Sequence, residues 1–324
     1  MVKAIRIHKT GGPEVLQLED ITLPAPGPGE LRVRNHAIGL NFIDTYFRTG
    51  LYAAPQLPFV PGNEAAGEVL AVGPNVTEFK PGDRVAYVAT LGSYAEERNV
   101  AVNSTVSLPA AVSYEAAASM MLKGMTAEYL LHRTYAVKPG DTILVHAAAG
   151  GTGLILCQWG KALGATVIGT AGSKDKADLA KAHGADHVIL YREEDFVARV
   201  KEITGGKLCA VVYDGVGKDT FLPSLDCLRP FGVMASFGNA SGPVEPFNLG
   251  LLGPKGSLYV TRPTLFTHIA MRETMVEMAK NLFGAVTSGK VVVPVNARFA
   301  LADAANAHRA LEGRGTTGST VLIP

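Results

Sequence analysis

The spacing of hydrophobic and polar positions changes twice along this chain. From Lys3 to His8 apolar and polar residues alternate in part and predict a strand; a Gly11-Gly12-Pro13 turn and a second short strand, Val15 to Glu19, follow. Pro24, Pro26 and Pro28 keep the backbone extended before a strand from Glu30 to Ile38. Asn41 to Arg48 predicts a short helix, with Asn41 as N-cap and Asp44 closing a capping box where Glu or Gln is commoner. A strand ending at Val72 then leads into two turn signals, Gly73-Pro74-Asn75 and Lys80-Pro81-Gly82-Asp83, separated by apolar residues. Short strands joined by such turns predict a compact, barrel-like β domain.

Near Ser113 the period lengthens. Tyr114 to His132 reads as one helix capped by Ser113, with Gly124 a weak point inside it, and is expected to bridge two domains. Beyond it strands and helices alternate. Strands are predicted at Thr142 to His146, Ala165 to Gly169, His187 to Leu190, Cys209 to Tyr213, Gly232 to Phe237 and Ser257 to Val260. Helices are predicted at Leu154 to Leu163, Lys174 to His183, Asp195 to Thr204 and Asp219 to Cys227. This alternation is that of a doubly wound parallel sheet. Met271, Met275, Met278 and Leu282 stand at helical spacing in Thr267 to Val286 and are read as core positions. The tail returns to strand, helix, strand (Lys290 to Val295, Leu301 to Leu311, Ser319 to Ile323). Elements that short do not stand alone, so the tail is expected to rejoin the N-terminal domain.

Composition narrows the function classes. A chain of 324 residues, 47% hydrophobic, exceeds a single ordinary core and predicts two domains. With 30 basic and 29 acidic residues intermingled, it has no basic stripe, so no nucleic-acid partner is expected. No apolar run reaches membrane-spanning length, which predicts a soluble, cytoplasmic protein with no membrane partner. Cys157, Cys209 and Cys227 lie far apart with no C-x-x-C pair, and they are read as buried thiols.

The chemistry centres on the small-residue run between the first two strands of the α/β region, Ala147 to Gly153. Its A-x-x-G-x-x-G spacing (Ala147, Gly150, Gly153, with Gly151 and Thr152 between) is a variant of the dinucleotide-binding turn. Ala147 fits the place of the first glycine on the expectation that the strand exit needs a small side chain and no positive φ. Gly150 would let the backbone approach a pyrophosphate, and Gly153 would let the helix lie close to the sheet. An NAD-selective site places an acid about 20 residues after the turn to hold the ribose hydroxyls. Here the second strand runs into Thr170-Ala171-Gly172-Ser173, with no carboxylate until Asp175. That favours NADPH: Ser173 and Lys176 can donate to a 2′-phosphate, although Lys176 also fits a solvated helix face and Ser173 an N-cap. Tyr191 fits either an adenine platform or the core. Gly215 and Val216, and Phe237 and Gly238, stand at the carboxyl ends of strands, where they read either as cofactor lining or as turns.

The stretches GLNFIDTYFRTGLY, PFVPGNEAAGEV, FKPGDRVAY, GMTAEYLL, VHAAAGGTG, AGSKDKADLAKAHGADHVI, VYDGVGKDTF, LYVTRP and TTGSTVLIP carry a resemblance nearly from end to end. The chain resembles the quinone oxidoreductase (zeta-crystallin-like) branch of the medium-chain dehydrogenase/reductase superfamily. The resemblance implies a GroES-like, partly open β-barrel catalytic domain from residues 1–123 and 263–324, and a Rossmann domain from residues 124–262. It implies NADPH as cofactor, a quinone as substrate, and a homodimer that pairs the last Rossmann strand across a two-fold. Asn41, Tyr46, Tyr52 and Asn63 would surround the acceptor, Asn41 also approaching the cofactor. Thr126 would approach the nicotinamide, Arg262 would lie beside the cofactor and Arg314 near its 2′-phosphate; apart from the resemblance, the arginines also read as surface residues. Zinc-dependent relatives carry a cysteine and a histidine where this chain has Asn41 and Asn63, so no metal site is expected. The histidines, His308 among them, read as core-edge or surface residues. Reduction of an activated carbon-carbon double bond, and a non-catalytic crystallin-like or RNA-binding role, are the competing readings.

Overall fold

The computed structural model describes residues 1–313 and 315–324. In chain order it contains β1 (Val2–Arg6), β2 (Gln17–Ile21), β3 (Glu30–Leu40), α1 (Phe42–Thr49), β4 (Glu64–Val72), β5 (Arg84–Val88), β6 (Glu97–Ala101), β7 (Thr105–Ser107), α2 (Tyr114–Ala118) and α3 (Met121–Tyr129). The α/β region follows, with β8 (Thr142–Val145), α4 (Gly151–Ala162), β9 (Thr166–Ala171), α5 (Lys174–Ala182), β10 (His187–Leu190), α6 (Phe196–Ile203), β11 (Cys209–Asp214), α7 (Phe221–Ser224), β12 (Leu228–Ser236) and β13 (Tyr259–Thr261). The tail holds α8 (Leu265–His268), α9 (Arg272–Thr287), β14 (Val295–Ala300), α10 (Ala304–Glu312) and β15 (Ser319–Ile323).

These elements form two compact units. The first comprises Met1–Met125, Ile269–Thr287 and Val293–Pro324; the second comprises Thr126–His268 and Ser288–Val292. In the first, one sheet runs β14-β15-β3-β4-β5-β7, with β6 also paired to β3, and it does not close on itself. β14 and β15 are parallel and every other pair is antiparallel, so the tail completes the sheet that the N-terminal strands begin. The β1-β2 hairpin is tied in by the Ile5 N–H donating to the Tyr94 carbonyl at 2.8 Å. Its core gathers Leu31, Val33, Val69, Val85 and Tyr87 from the sheet and Ala304 and Ala307 from α10.

The second unit is a six-stranded, wholly parallel sheet in the order β10-β9-β8-β11-β12-β13. The order reverses between β8 and β11, the switch point at which such sheets hold ligands beyond their carboxyl ends. Its core joins Leu144, Ile168, Val212 and Met234 from the strands to Val200 and Phe221 from the helices. The three cysteines are buried and free. Burial pushes the thiols of Cys157 and Cys227 up to about 12 and raises that of Cys209 as well, so all three stay protonated packing groups.

Several elements depart from the sequence pattern. The expected helix from Tyr114 to His132 is broken at Ser119-Met120 into α2 and α3, and Leu130–Thr134 forms a π turn. A Cβ on Gly124 would lie 2.6 Å from Leu282 Cδ1, so this glycine is where α9 packs closely on α3. α9 buries Met275, Met278 and Leu282 as expected, but it begins at Arg272 and leaves Met271 exposed. The strand expected at Lys290 to Val295 starts instead at Val295. Val292 is clamped within the second unit by the Gln158 amide, which accepts from its N–H at 2.8 Å and donates to its carbonyl at 2.9 Å. Pro294 then delays the sheet ladder by withholding an N–H.

Candidate functional site

In the α/β unit, β8 delivers the chain into the glycine turn. Ala147 there has φ +51°, which corrects the expectation that it needs only to be small. The left-handed conformation is held by neighbours: the Ala147 N–H donates to Thr170 Oγ1 at 3.3 Å, the Ala148 N–H to the Thr170 carbonyl at 3.0 Å, and the Gly150 N–H back to the Ala147 carbonyl at 2.9 Å. A Cβ on Gly153 would lie 2.3 Å from that same carbonyl and 2.8 Å from Ala148 Cα, so only glycine fits. Gly150 caps α4 and brings no side-chain acceptor to the first turn, which carries no acid. The N-terminus of a 12-residue helix at Gly151, Thr152 and Gly153 thus keeps its positive end for an anion.

Beyond β9, Gly172 leads to Ser173, the N-cap of α5. A Cβ on Gly172 would meet Tyr191 Oη at 2.9 Å and Arg192 Nε at 3.4 Å, so the ends of β9 and β10 lie side by side. Tyr191 is 41% exposed, Lys176 is half-buried one turn into α5, and Arg192 is exposed. Arg192 was not singled out in the sequence; its place next to Tyr191 is the signal that could have found it. The expected contribution of Arg314 falls outside the described residues.

The loops after β11 and β12 pack on each other. Asp214 organises the first: one carboxylate oxygen accepts from the Val216 N–H (2.7 Å), the Gly217 N–H (3.1 Å) and the Thr220 hydroxyl (2.8 Å). A Cβ on Gly238 would lie 2.2 Å from the Gly215 carbonyl, and one on Gly215 would lie 3.0 Å from the Phe237 ring. Loop-to-loop contact already requires these glycines. Arg262 donates to the Gly238 carbonyl at 3.0 Å and to Ser236 Oγ at 3.3 Å, which fixes its guanidinium beside the second loop. Thr126 is buried, one turn before a Tyr129 ring stacked on His268 at 4.5 Å.

In the first unit, β3 ends at Leu40 and the next residue, Asn41, caps α1 in the reciprocal box with Asp44; the Asn41 N–H donates to Asp44 Oδ2 at 2.8 Å. The Asn41 amide donates to Glu64 Oε1 at 2.7 Å, and Glu64 is also held by the Leu122 N–H (2.7 Å) and Lys123 Nζ (3.1 Å). Asn63 is wholly buried, its amide donating to Asp44 Oδ1 at 2.7 Å and its carbonyl accepting from the Leu91 N–H at 3.3 Å. Tyr46 and Tyr52 meet edge to face at 5.2 Å, with Tyr52 half-buried and Tyr46 8% exposed. The structure brings Asn41 and Asn63 together through the carboxylates between them and sets the two tyrosines as a pair.

This donor set does not suit zinc. The two amides turn N–H groups towards Asp44 and Glu64, whose oxygens are already engaged, and no thiolate or imidazole joins them. Among the described residues no group of three or more His, Cys, Asp and Glu side chains could hold a metal.

Two family models match the chain: alcohol dehydrogenase GroES-like domain over residues 27–142, and zinc-binding dehydrogenase over residues 151–283. The chain is 56% identical to a quinone oxidoreductase of Pseudomonas aeruginosa over 100% of both chains. It is 47% identical to a 2-haloacrylate reductase of a Burkholderia species, covering 100% of this chain and 99% of that one. It superposes with a TM-score of 0.97 on the Escherichia coli quinone oxidoreductase complexed with NADPH, at 53% identity, covering 99% of this chain and 100% of the other. The chain belongs to the quinone oxidoreductase family. Within the medium-chain dehydrogenase/reductase superfamily it falls in the zinc-independent, zeta-crystallin-like branch, and its fold is the GroES-like and Rossmann pair that the resemblance implies.

Asp44, Tyr94 and His308 complete the picture in the first unit. Sequence reading gave Asp44 only a capping role and His308 a core-edge place. Their link crosses 264 sequence positions, from Asp44 to His308 by way of Tyr94, and no local spacing signals it.

Proposed function

We propose that the chain is an NADPH-dependent, zinc-independent quinone oxidoreductase, with coenzyme held by the α/β unit and the acceptor met by the GroES-like unit. The observation that carries this reading is the commitment of both amides, Asn41 and Asn63, to carboxylates where a metal-dependent enzyme needs ligands. The residues of the α/β unit suit NADPH: a glycine-capped helix end for the pyrophosphate at Gly150 to Gly153, no acid at the end of β9, and Ser173, Lys176 and Tyr191 where a 2′-phosphate needs donors. Arg192 joins this cluster from the Tyr191 side, and Gly172 keeps the backbone low beneath it. Ala147, Gly215, Val216, Phe237, Gly238, Thr126 and Arg262 would line the remainder of the coenzyme.

When bound, NADPH supplies a hydride; an electrophilic carbonyl receives it without a Lewis acid if hydrogen-bond donors meet the developing oxyanion. The second amide hydrogen of Asn41, the first being given to Glu64, and the side chains of Tyr46 and Tyr52 are what we assign to that task, the two tyrosines with ring faces suited to a flat acceptor. Asn63, having spent its amide and carbonyl inside the protein, orders the site from behind. We place the protein in the cytoplasm on its three free thiols. We also propose a homodimer through β13, the sheet edge, where Tyr259 is 60% exposed and Phe231 on the neighbouring β12 is 68% exposed.

A second reading, reduction of an activated carbon-carbon double bond, is favoured by the 47% identity to a 2-haloacrylate reductase. Steady-state assays with NADPH and 1,4-naphthoquinone, 9,10-phenanthrenequinone, 2-alkenals and 2-haloacrylate distinguish the two. Turnover of quinones with the highest kcat/KM is expected; alkenals or haloacrylate turning over while quinones hardly react would replace the first reading by the second.

A further inference from the structure

A buried chain of hydrogen bonds runs from α10 to the N-terminus of α1. Arg48, 1% exposed, donates from one guanidinium nitrogen to Glu312 and to His308 Nδ1 (3.2 Å), and its Nε donates to the Gly11 carbonyl (3.1 Å). A guanidinium only donates, so Nδ1 of His308 must accept and Nε2 must carry the proton. That N–H points to Tyr94 Oη at 3.1 Å, which leaves the Tyr94 hydroxyl hydrogen for Asp44 Oδ2 at 3.0 Å. With the Asn41 N–H and the Asn63 amide, three donors converge on Asp44. Arg48 thereby fixes the direction of every bond in the chain. Were Asp44 protonated, the chain could adapt only by reversing, and reversal would set a His308 Nδ1–H against an Arg48 N–H.

We propose that Asp44 is a positioning residue of the acceptor site, its carboxylate form favoured by the Arg48–His308–Tyr94 chain so that it holds Asn63 and the Asn41 end of α1 in their working orientation. This rests on the reading of Asn41 and Tyr46 as acceptor-side residues. Asp44 and Arg48 are one helical turn apart on one face of α1, and Tyr46 lies on the opposite face, so the chain that locks one face orients the other. The remaining charges near Asp44 are Glu64 on β4, itself paired with Lys123 on α3, and Glu312 on α10, which faces Arg48. Burial raises the Asp44 carboxyl to about 7, opposed by its hydrogen-bond donors, Tyr94 among them. Losing the Tyr94 donor would therefore raise it further.

The test compares wild type with Tyr94→Phe, recording quinone kcat/KM from pH 5.5 to 9, NADPH Kd, and the Asp44 carboxyl titration by 13C NMR, assigned with Asp44→Asn. In Tyr94→Phe the acid limb of kcat/KM and the Asp44 titration are expected to move up together by roughly half a pH unit or more, with NADPH Kd within about twofold of wild type. Should that variant fold poorly, Tyr94→Phe with His308→Leu removes both partners of the central bond and leaves less buried polarity unmet. A lowered melting temperature with the acid limb unmoved would reduce the chain to a structural role and overturn the inference. A wild type that binds NADPH yet reduces no quinone would sink the functional reading instead, and the NMR titration alone would then decide whether Tyr94 keeps Asp44 ionised.

Discussion

Lys176 and the pair Asp44 and His308 show how differently single polar side chains can serve one protein. We assign Lys176, in the first turn of α5 just beyond the place where an NAD-binding chain carries an acid, to a 2′-phosphate, and its replacement by Ala is expected to weaken NADPH more than NADH by roughly 1.5 to 3 kcal/mol. Titration calorimetry with both coenzymes checks this, and equal losses would exclude a phosphate contact. Asp44 and His308 act on stability with opposite signs. The Asp44 carboxyl is raised from 3.8 to about 7, so its stabilisation is complete below pH 3.8 and is lost as pH rises through 7. His308 is lowered from 6.5 to about 3 by burial and then by Arg48, so its stabilisation is present above pH 6.5 and is lost as pH falls through 3. Between pH 4 and 6.5 the two slopes oppose each other. Asp44→Asn should therefore expose the His308 slope, with stability rising by up to about 1.4 kcal/mol per pH unit more steeply than in wild type. Urea unfolding at pH 4.5, 5.5 and 6.5 measures it; parallel curves for the two proteins would contradict the assignment.

At the scale of elements, the glycine turn was readable as a strand, turn and helix, because its small residues lie between a β run and a helical run. Its detail was not. The requirement at Ala147 is a backbone angle imposed by Thr170, 23 residues on, and nothing within the turn announces it. Since the Ala147 side chain is exposed, Ala147→Gly is expected to relieve left-handed strain with no packing loss, stabilising by up to about 1 kcal/mol after the extra freedom of the unfolded chain is counted. Thermal melts check this, and a lower midpoint would show that the strain is absent. Helix α1 repeats the lesson. Its capping box was legible in Asn41 and Asp44, yet the wider use of Asp44 as the acceptor for Asn63 and Tyr94 depends on connecting segments that arrive later in the chain. The same holds for Gly124, which local propensity marks as a weak point and α9 turns into a contact.

At the scale of the molecule, the return of the tail to the N-terminal sheet was expected because its strands are too short to stand alone, and β15 does pair with β3. The clamp of Gln158 on Val292, which assigns residues 288–292 to the other unit, had no such signature. The exposed edge β13 makes the assembly testable. Tyr259→Lys puts a charge on that edge and is expected to convert a dimer to a monomer by light scattering, with the α/β unit still folded by circular dichroism. A variant that remains dimeric would place the interface elsewhere.

By itself the sequence determined the two periodicities, and with them a β unit and a parallel α/β unit. It determined the coenzyme class, since the glycine turn and the missing acid after β9 are local features set by backbone space and charge. It also determined the absence of the usual metal ligands at Asn41 and Asn63. Only the tertiary structure decided what those asparagines do instead. The carboxylates that occupy them are Asp44 and Glu64, the chain behind Asp44 joins segments as distant as Arg48 and His308, and hydrogen-bond direction is a property of the assembled set of donors and acceptors.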